Sequence, residues 1–258
     1  MKLQKIKEEK KKNKISFLLK DSNEVFANTI RRLVIEEVPT LAVEDLEIKD
    51  NNSALSDEMF GLRIGLSPIK TDLKSYNLKE NCKCEDAGCA QCELKLHLKA
   101  SKKGYVYAEM AESSDPKCNF VYPKMPLVKL LAKQKAEVTM TAILGKGKEH
   151  VKWSPGMAFY RREPVFKIGK VADPVKVAEM CPQNIFVAKG NKLEVVKDKL
   201  YDCHLCQQCT DLDKEITFEY GKNYVFFLES WGQLGCKEIL TQAAQIIVNK
   251  VEEMEALI

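Results

Sequence analysis

A chain of 258 residues that is 45% apolar can bury a sizeable core, as one large domain or a few small ones. Its 41 basic and 37 acidic residues leave a net charge of only +4, a mixed solvated surface that argues against a protein built around a basic nucleic-acid stripe. No stretch approaches the ~20 apolar residues of a membrane span and the first residues hold no apolar signal core, so a cytoplasmic protein with no membrane partner is expected.

The lysine-rich run 10–14 follows Glu8 and Glu9 and reads as solvated surface. Residues 15–20 read as a short strand. Asp21 or Ser22 can cap a helix that continues to Val38, where Pro39 ends it. Phe26, Ile30, Leu33, Val34 and Val38 form one apolar stripe along that helix, with Arg31 and Arg32 beside it. Residues 41–49 nearly alternate as a strand does, and the polar turn Asn51-Asn52-Ser53 follows. Residues 93–99 alternate cleanly, with Leu94, Leu96 and Leu98 on one face and Lys95, His97 and Lys99 on the other. Two further strands are expected at 105–111 and 136–144, making 41–145 a mainly β region.

Gly145-Lys146-Gly147-Lys148 lacks the Gly-x4-Gly-Lys-Ser/Thr arrangement of a phosphate loop and reads as a turn with exposed lysines. Residues 166–213 have a small-domain pattern: a short helix at 174–180, then strands at 184–187 and 193–196 around Gly190-Asn191. A hairpin is expected from 216–220 and 224–230 through Gly221-Lys222-Asn223. The last helix, 234–258, has Ile239, Leu240, Ala243, Ile246, Ile247, Val251 and Met254 for an apolar side suited to a partner helix.

Eight of the ten cysteines fall into two groups of four, and a reducing compartment points such groups toward metal or cluster ligation. Cys82-x-Cys84-x4-Cys89-x2-Cys92, with Gly88 allowing a tight turn, suits a closed tetrahedral structural zinc site. A second iron-sulfur centre or unligated thiols are the alternatives. Cys203, Cys206 and Cys209 have Cys-x2-Cys-x2-Cys spacing, and Cys181-Pro182 stands twenty-two residues upstream. In a two-cluster ferredoxin, three thiolates of such a run ligate one cluster and the Cys-Pro thiolate the other. Here the companion positions are Val171, Pro174 and Val177, and the fourth position after Cys209 is Asp213, so Cys181, Cys203, Cys206 and Cys209 remain as ligands for one [4Fe-4S] cluster. Zinc is the rival occupant, and His204 is a conceivable substitute ligand. Cys118 and Cys236 stand alone and read as small buried hydrophobes.

No catalytic constellation emerges. His97, His150 and His204 have no Ser, Cys or Asp partner in a nucleophile motif.

Several segments together resemble one family. Phe26-Ala27-Asn28-Thr29-Ile30-Arg31-Arg32-Leu33 followed by Glu37-Val38-Pro39-Thr40 is similar to the helix of the α-like subunits of cellular RNA polymerases. Asn51-Asn52-Ser53, Asp57-Glu58, Arg63-Ile64-Gly65-Leu66-Ser67-Pro68 and the stretch from Gly145 to Pro155 extend the match in order. With the cluster segment included, the resemblance is to the D-subunit family of archaeal DNA-directed RNA polymerase, counterpart of the third-largest subunit of eukaryotic polymerase II and relative of bacterial α.

That resemblance implies an α+β fold. A discontinuous, α-subunit-like dimerisation domain (1–40, 146–165, 214–258) would carry two insertions, a mainly β domain (41–145) and a ferredoxin-like iron-sulfur domain (166–213). It implies a non-catalytic role in transcription: a heterodimer with subunit L on which the large catalytic subunits and the small subunits N and P assemble, with DNA met only indirectly. Arg31 and Arg32 become candidates for contacts to a large subunit, while the nucleotidyltransferase chemistry belongs to another chain of the complex. The eukaryotic counterpart has a four-cysteine loop resembling Cys82 to Cys92, whereas many archaeal members lack one, and family members carry two clusters, one or none. The competing reading, an iron-sulfur electron-transfer protein, explains the cluster ligands but not the larger interrupted domain or the long terminal helix.

Overall fold

The computed structural model of the chain describes residues 1–85 and 87–258. In chain order the elements are β1 (Lys2–Glu9), β2 (Lys14–Lys20), α1 (Glu24–Glu36), β3 (Thr40–Asn51), α2 (Asp57–Gly65), β4 (Glu93–Ala100), β5 (Gly104–Tyr107) and β6 (Ala111–Ser113). There follow β7 (Pro126–Leu130), β8 (Ala136–Gly145), β9 (Gly156–Ile168), α3 (Pro174–Met180), β10 (Phe186–Lys189), β11 (Lys192–Val195), α4 (Gln208–Leu212), β12 (Ile216–Ser230) and α5 (Cys236–Glu255). Two compact units result: residues 1–7, 16–28 and 159–227 form the first, and 8–15, 29–158 and 228–258 the second. No helix among the described residues is long and apolar enough to cross a membrane.

The first unit contains most of a sheet ordered β1-β2-β12-β9. Aromatic pairs lock its strands: Phe17 stacks on Phe226 with ring centroids 5.1 Å apart, and Phe159 on Phe227 at 4.7 Å. The hairpin expected through Gly221-Lys222-Asn223 is absent, because β12 runs unbroken from Ile216 to Ser230. Those three residues answer to a neighbouring strand and not to a turn. A Cβ at Gly221 would meet the Glu163 carbonyl oxygen on β9 at 3.1 Å, and the Asn223 amide donates to the Glu163 carboxylate at 2.6 Å.

Further along, α3 begins as its sequence dictates, with the Asp173 carboxylate accepting the Lys176 N–H at 3.1 Å and Pro174 in the first turn. Strands β10 and β11 pair antiparallel from Phe186↔Val195 to Lys189↔Lys192, turning at Gly190 in the left-handed region (φ +58°). Val171, Val177, Ile185, Phe186, Leu193, Cys203 and Ile216 pack together beneath them.

In the second unit a sheet ordered β3-β8-β4-β6 carries most of the core. Strand β4 buries Leu94, Leu96 and Leu98 and exposes Lys95, His97 and Lys99, as its alternation predicts. The imperfect alternation of β3 has a structural cause in two register shifts against β8, at Val43/Asp45 and Ile48/Asp50. The single strand expected over 105–111 is instead β5, a 3-10 turn (Ala108–Met110) and β6, and the two strands pair with different partners, β7 and β4. Backbone bonds from the Ala108 and Glu109 N–H groups to the carbonyls of Met125 and Pro123, both 3.0 Å, divert the chain there.

Helix α1 starts later than its sequence implies. Asp21 has left-handed backbone (φ +53°), and the Asn23 side chain takes the capping position, accepting the Phe26 N–H at 2.8 Å. The helix closes before Pro39 with the Val38 N–H on the Leu33 carbonyl at 3.1 Å. Helix α5 buries Ile239 and Ala243, yet Val248, Val251 and Met254 lie 46%, 48% and 65% exposed along its second half.

Candidate metal centres

Residues 79–92, the last part of the segment between α2 and β4, have no large apolar side chain of their own, and their shape is set by cysteines and turns. Glu85 (φ +48°) and Gly88 (φ +82°) both adopt left-handed backbone, folding the segment back so that the sulfurs of Cys82, Cys84, Cys89 and Cys92 lie within 4.8 Å of one another. Cys82 and Cys89 sulfurs stand 3.5 Å apart, Cys84 and Cys92 3.5 Å, and Cys89 and Cys92 3.7 Å. Four sulfurs about 2.3 Å from one tetrahedral ion would be separated by about 3.8 Å, so this cluster is dimensioned to hold a metal ion.

Backbone donors reinforce it. The Cys89 N–H points to the Cys92 sulfur at 3.2 Å and the Gln91 N–H to the Cys89 sulfur at 3.4 Å. The bond from Gln91 draws the Cys89 thiol below its ordinary range, whereas burial pushes Cys92 up. Glu93 clamps the base of the loop through Lys79 at 3.0 Å and Lys95 at 3.3 Å. All four sulfur positions are protein thiols, leaving no open ligand position for chemistry on a substrate.

The second group is arranged differently. Cys181, Cys203, Cys206 and Cys209 line one narrow cavity, with Phe166, Val177, Ile185, Phe186, Leu212 and Phe218 making its apolar walls. Two non-glycine residues between the cysteines, Leu205 (φ +57°) and Gln207 (φ +61°), hold left-handed backbone and turn the run around the cavity. The Leu205 N–H reaches the Cys203 sulfur at 3.4 Å. Burial raises the Cys203 thiol and pushes Cys209 up to about 11. His204 lines the same cavity.

Where a two-cluster protein would place companion ligands, Val171, Pro174 and Val177 are buried. Asp213 is occupied in the backbone, its carboxylate accepting the N–H groups of Ala172 and Glu215, both at 2.9 Å. Cys118 is fully buried, and the partly buried Cys236 thiol contacts the Asn13 carbonyl at 3.0 Å.

Two residues that sequence reasoning passed over stand beside the second group. Arg161 on β9 donates from its guanidinium to the Tyr201 carbonyl and lies over the Phe227 ring, 4.7 Å from its centroid. The Tyr201 hydroxyl donates to Glu163 at 3.1 Å. Nothing in the sequence ties position 161 to a cysteine motif that begins forty-two residues later. Arg32 on α1 pairs with Glu36 at 3.0 Å, one turn along an exposed helix face, and this bond holds the Glu36 carboxyl below its usual range.

Comparison with known proteins gives a consistent answer. A profile of the RNA polymerase Rpb3/RpoA insert domain matches residues 46–156. The DNA-directed RNA polymerase subunit Rpo3 of Methanosarcina acetivorans is 35% identical over 247 residues, covering 94% of this chain and 93% of the relative. Subunits of the same name from Archaeoglobus fulgidus (31% identical; 97% and 96% covered) and Pyrococcus horikoshii (32%; 94% and 93%) align over nearly the same span.

Proposed function

Because this chain belongs to the Rpo3 family of DNA-directed RNA polymerase subunits, the α-like family, it is a non-catalytic assembly subunit of that enzyme, and we propose that it acts as a heterodimer with subunit L. The observation that carries the family reading is similarity across 94% of the chain. An electron carrier would need little beyond the cluster segment, so that alternative is not favoured.

The proposed pairing surface is the second half of α5. Its exposed Val248, Val251 and Met254 recur every three residues and form an apolar strip that water solvates poorly. The Lys250 ammonium bonds Glu37 at 2.9 Å and ties this part of α5 to the end of α1. The resulting platform would receive the large catalytic subunits and subunits N and P in the cytoplasm, with Arg31 and Arg32 as proposed contacts to a large subunit. The domain scheme proposed for it keeps 1–40, 146–165 and 214–258 as the dimerisation domain, with 41–145 and 166–213 inserted.

We further propose that Cys82, Cys84, Cys89 and Cys92 hold a structural zinc ion, supported by sulfur separations of 3.5 to 3.7 Å. Cys181, Cys203, Cys206 and Cys209 are proposed to hold one [4Fe-4S] cluster in a ferredoxin-like domain. Four thiols from two separate stretches of the chain line one apolar cavity, the donor set that such a cluster takes, and the Leu205 N–H matches the hydrogen bonding that tunes cluster sulfurs. When bound, the cluster would tie the run containing Cys203 to the turn containing Cys181.

Co-expression with an archaeal subunit L, followed by size-exclusion chromatography and metal analysis, tests this reading. A one-to-one complex with zinc and four irons per chain is expected. A monomer that ignores L and exchanges electrons with a reductase would overturn it.

A further inference from the structure

Arg161 stands out among the polar groups near the cysteine cavity. Its Nε is buried without a hydrogen-bond partner, and its guanidinium is held from one side by the Tyr201 carbonyl and from another by the Phe227 ring. A half-buried cation with one bond to a neutral carbonyl is poorly compensated, because burial removes water that neither contact replaces. The residue whose carbonyl it grips is followed directly by Asp202 and Cys203. Its placement is also braced: Tyr201, whose carbonyl it grips, reaches back to Glu163 on the same strand, and Glu163 accepts Asn223 from β12 at 2.6 Å.

We propose that Arg161 is the charge-compensating positioning residue of the four-cysteine cavity: it holds the chain two residues before Cys203 and lends positive charge to an anionic iron-sulfur cluster bound there. This rests on the reading that the second cysteine group holds such a cluster. Four thiolates make the bound group negative in both oxidation states, and one-electron reduction makes it more so. A fixed cation nearby therefore favours the reduced state and raises the potential. The orphaned Nε is then the cost of holding a guanidinium against the chain that leads into Cys203.

The test uses the full chain in complex with its partner subunit, purified without oxygen and reconstituted with iron and sulfide. R161Q, R161K and Y201F are compared by iron content, visible absorbance, and dithionite titration followed by electron paramagnetic resonance. In R161Q, the reduced-to-oxidised ratio at a fixed potential should fall about tenfold, a shift of about 59 mV to lower potential for a one-electron couple. R161K, which keeps the charge but loses the planar fork, should stay near the wild-type potential. Y201F, which breaks the bond to Glu163 but leaves the charge, should also stay near it. Equal potentials in all four proteins would overturn the proposal, as would a Y201F shift as large as that of R161Q. If R161Q loses the cluster, R161K decides: cluster retention at the wild-type potential supports the charge role, and loss overturns it. A wild-type protein that takes up zinc and no iron would instead reject the cluster reading itself, an outcome separate from any effect at Arg161.

Discussion

Truncating the exposed strip of α5 is the most quantitative test of the pairing surface. Val248, Val251 and Met254 are 46%, 48% and 65% exposed, so a partner helix can cover about half of each valine and two-thirds of the methionine. At about 1.5–3 kcal/mol for burying one such side chain completely, covering these portions is worth about 2.5–5 kcal/mol. The triple variant V248A/V251A/M254A retains some of that area through its β-carbons, so a loss of about 2–4 kcal/mol is expected. That corresponds to a dissociation constant weaker by roughly 30- to 1000-fold. Isothermal titration calorimetry against isolated subunit L gives the constant, and the binding heat capacity should become less negative as apolar burial is lost. Because the three side chains are already exposed, the melting temperature of the unpartnered chain should barely change. An unaltered affinity would refute the assignment of this face, and a large drop in melting temperature would show that the strip is covered within the chain.

Other perturbations test separate parts of the account. Replacing Cys92 by Ser should abolish stoichiometric zinc in metal analysis and lower the thermal stability of the second unit; zinc retained at one per chain would remove Cys92 from the site. At Gly147 a Cβ would clash with the Ile35 carbonyl oxygen, so G147A should destabilise by about 1–3 kcal/mol in urea titrations, whereas an unchanged midpoint would mean the contact yields freely. Glu137, paired with Lys99 and Lys49, has its carboxyl drawn down to about 2, chiefly by the bond from Lys99. A depressed carboxylate stabilises the fold above the ordinary carboxylate range and loses that contribution as pH falls toward 2. Melting curves of wild type and E137Q should therefore differ at pH 6 and converge toward pH 2; a constant gap would contradict the pairing.

Much of this protein was legible where local pattern and final packing agree. The alternation of β4, the short helix at 174–180 and the close cysteine group from Cys82 to Cys92 need only short-range spacing to be recognised. Failures came where a distant neighbour overrides local preference. Gly221-Lys222-Asn223 has the composition of a turn, but Glu163 and Val165 on β9 receive it in an extended strand. Tyr105 to Ala111 has the composition of one strand, yet the carbonyls of Met125 and Pro123 break it in two. The left-handed residues at the cavity, Leu205 and Gln207, were invisible because neither is a glycine or asparagine. Arg161 was invisible for another reason: only the sheet and the Tyr201 loop bring it to Cys203. Spacing already set the two cysteine groups apart, one suited to zinc and the other to a cluster. The structure adds how each is arranged, one drawn tightly together and the other lining a cavity.

The central claim is that this chain works as an assembly subunit of RNA polymerase. It is tested most directly by affinity purification through a tag on this chain, expressed at its native level, with DNA-dependent transcription assayed in the eluate. The account predicts that the large catalytic subunits co-purify in equal proportion and that the eluate synthesises RNA. Recovery of the chain free of those subunits, with all transcription activity left in the unbound fraction, would contradict it.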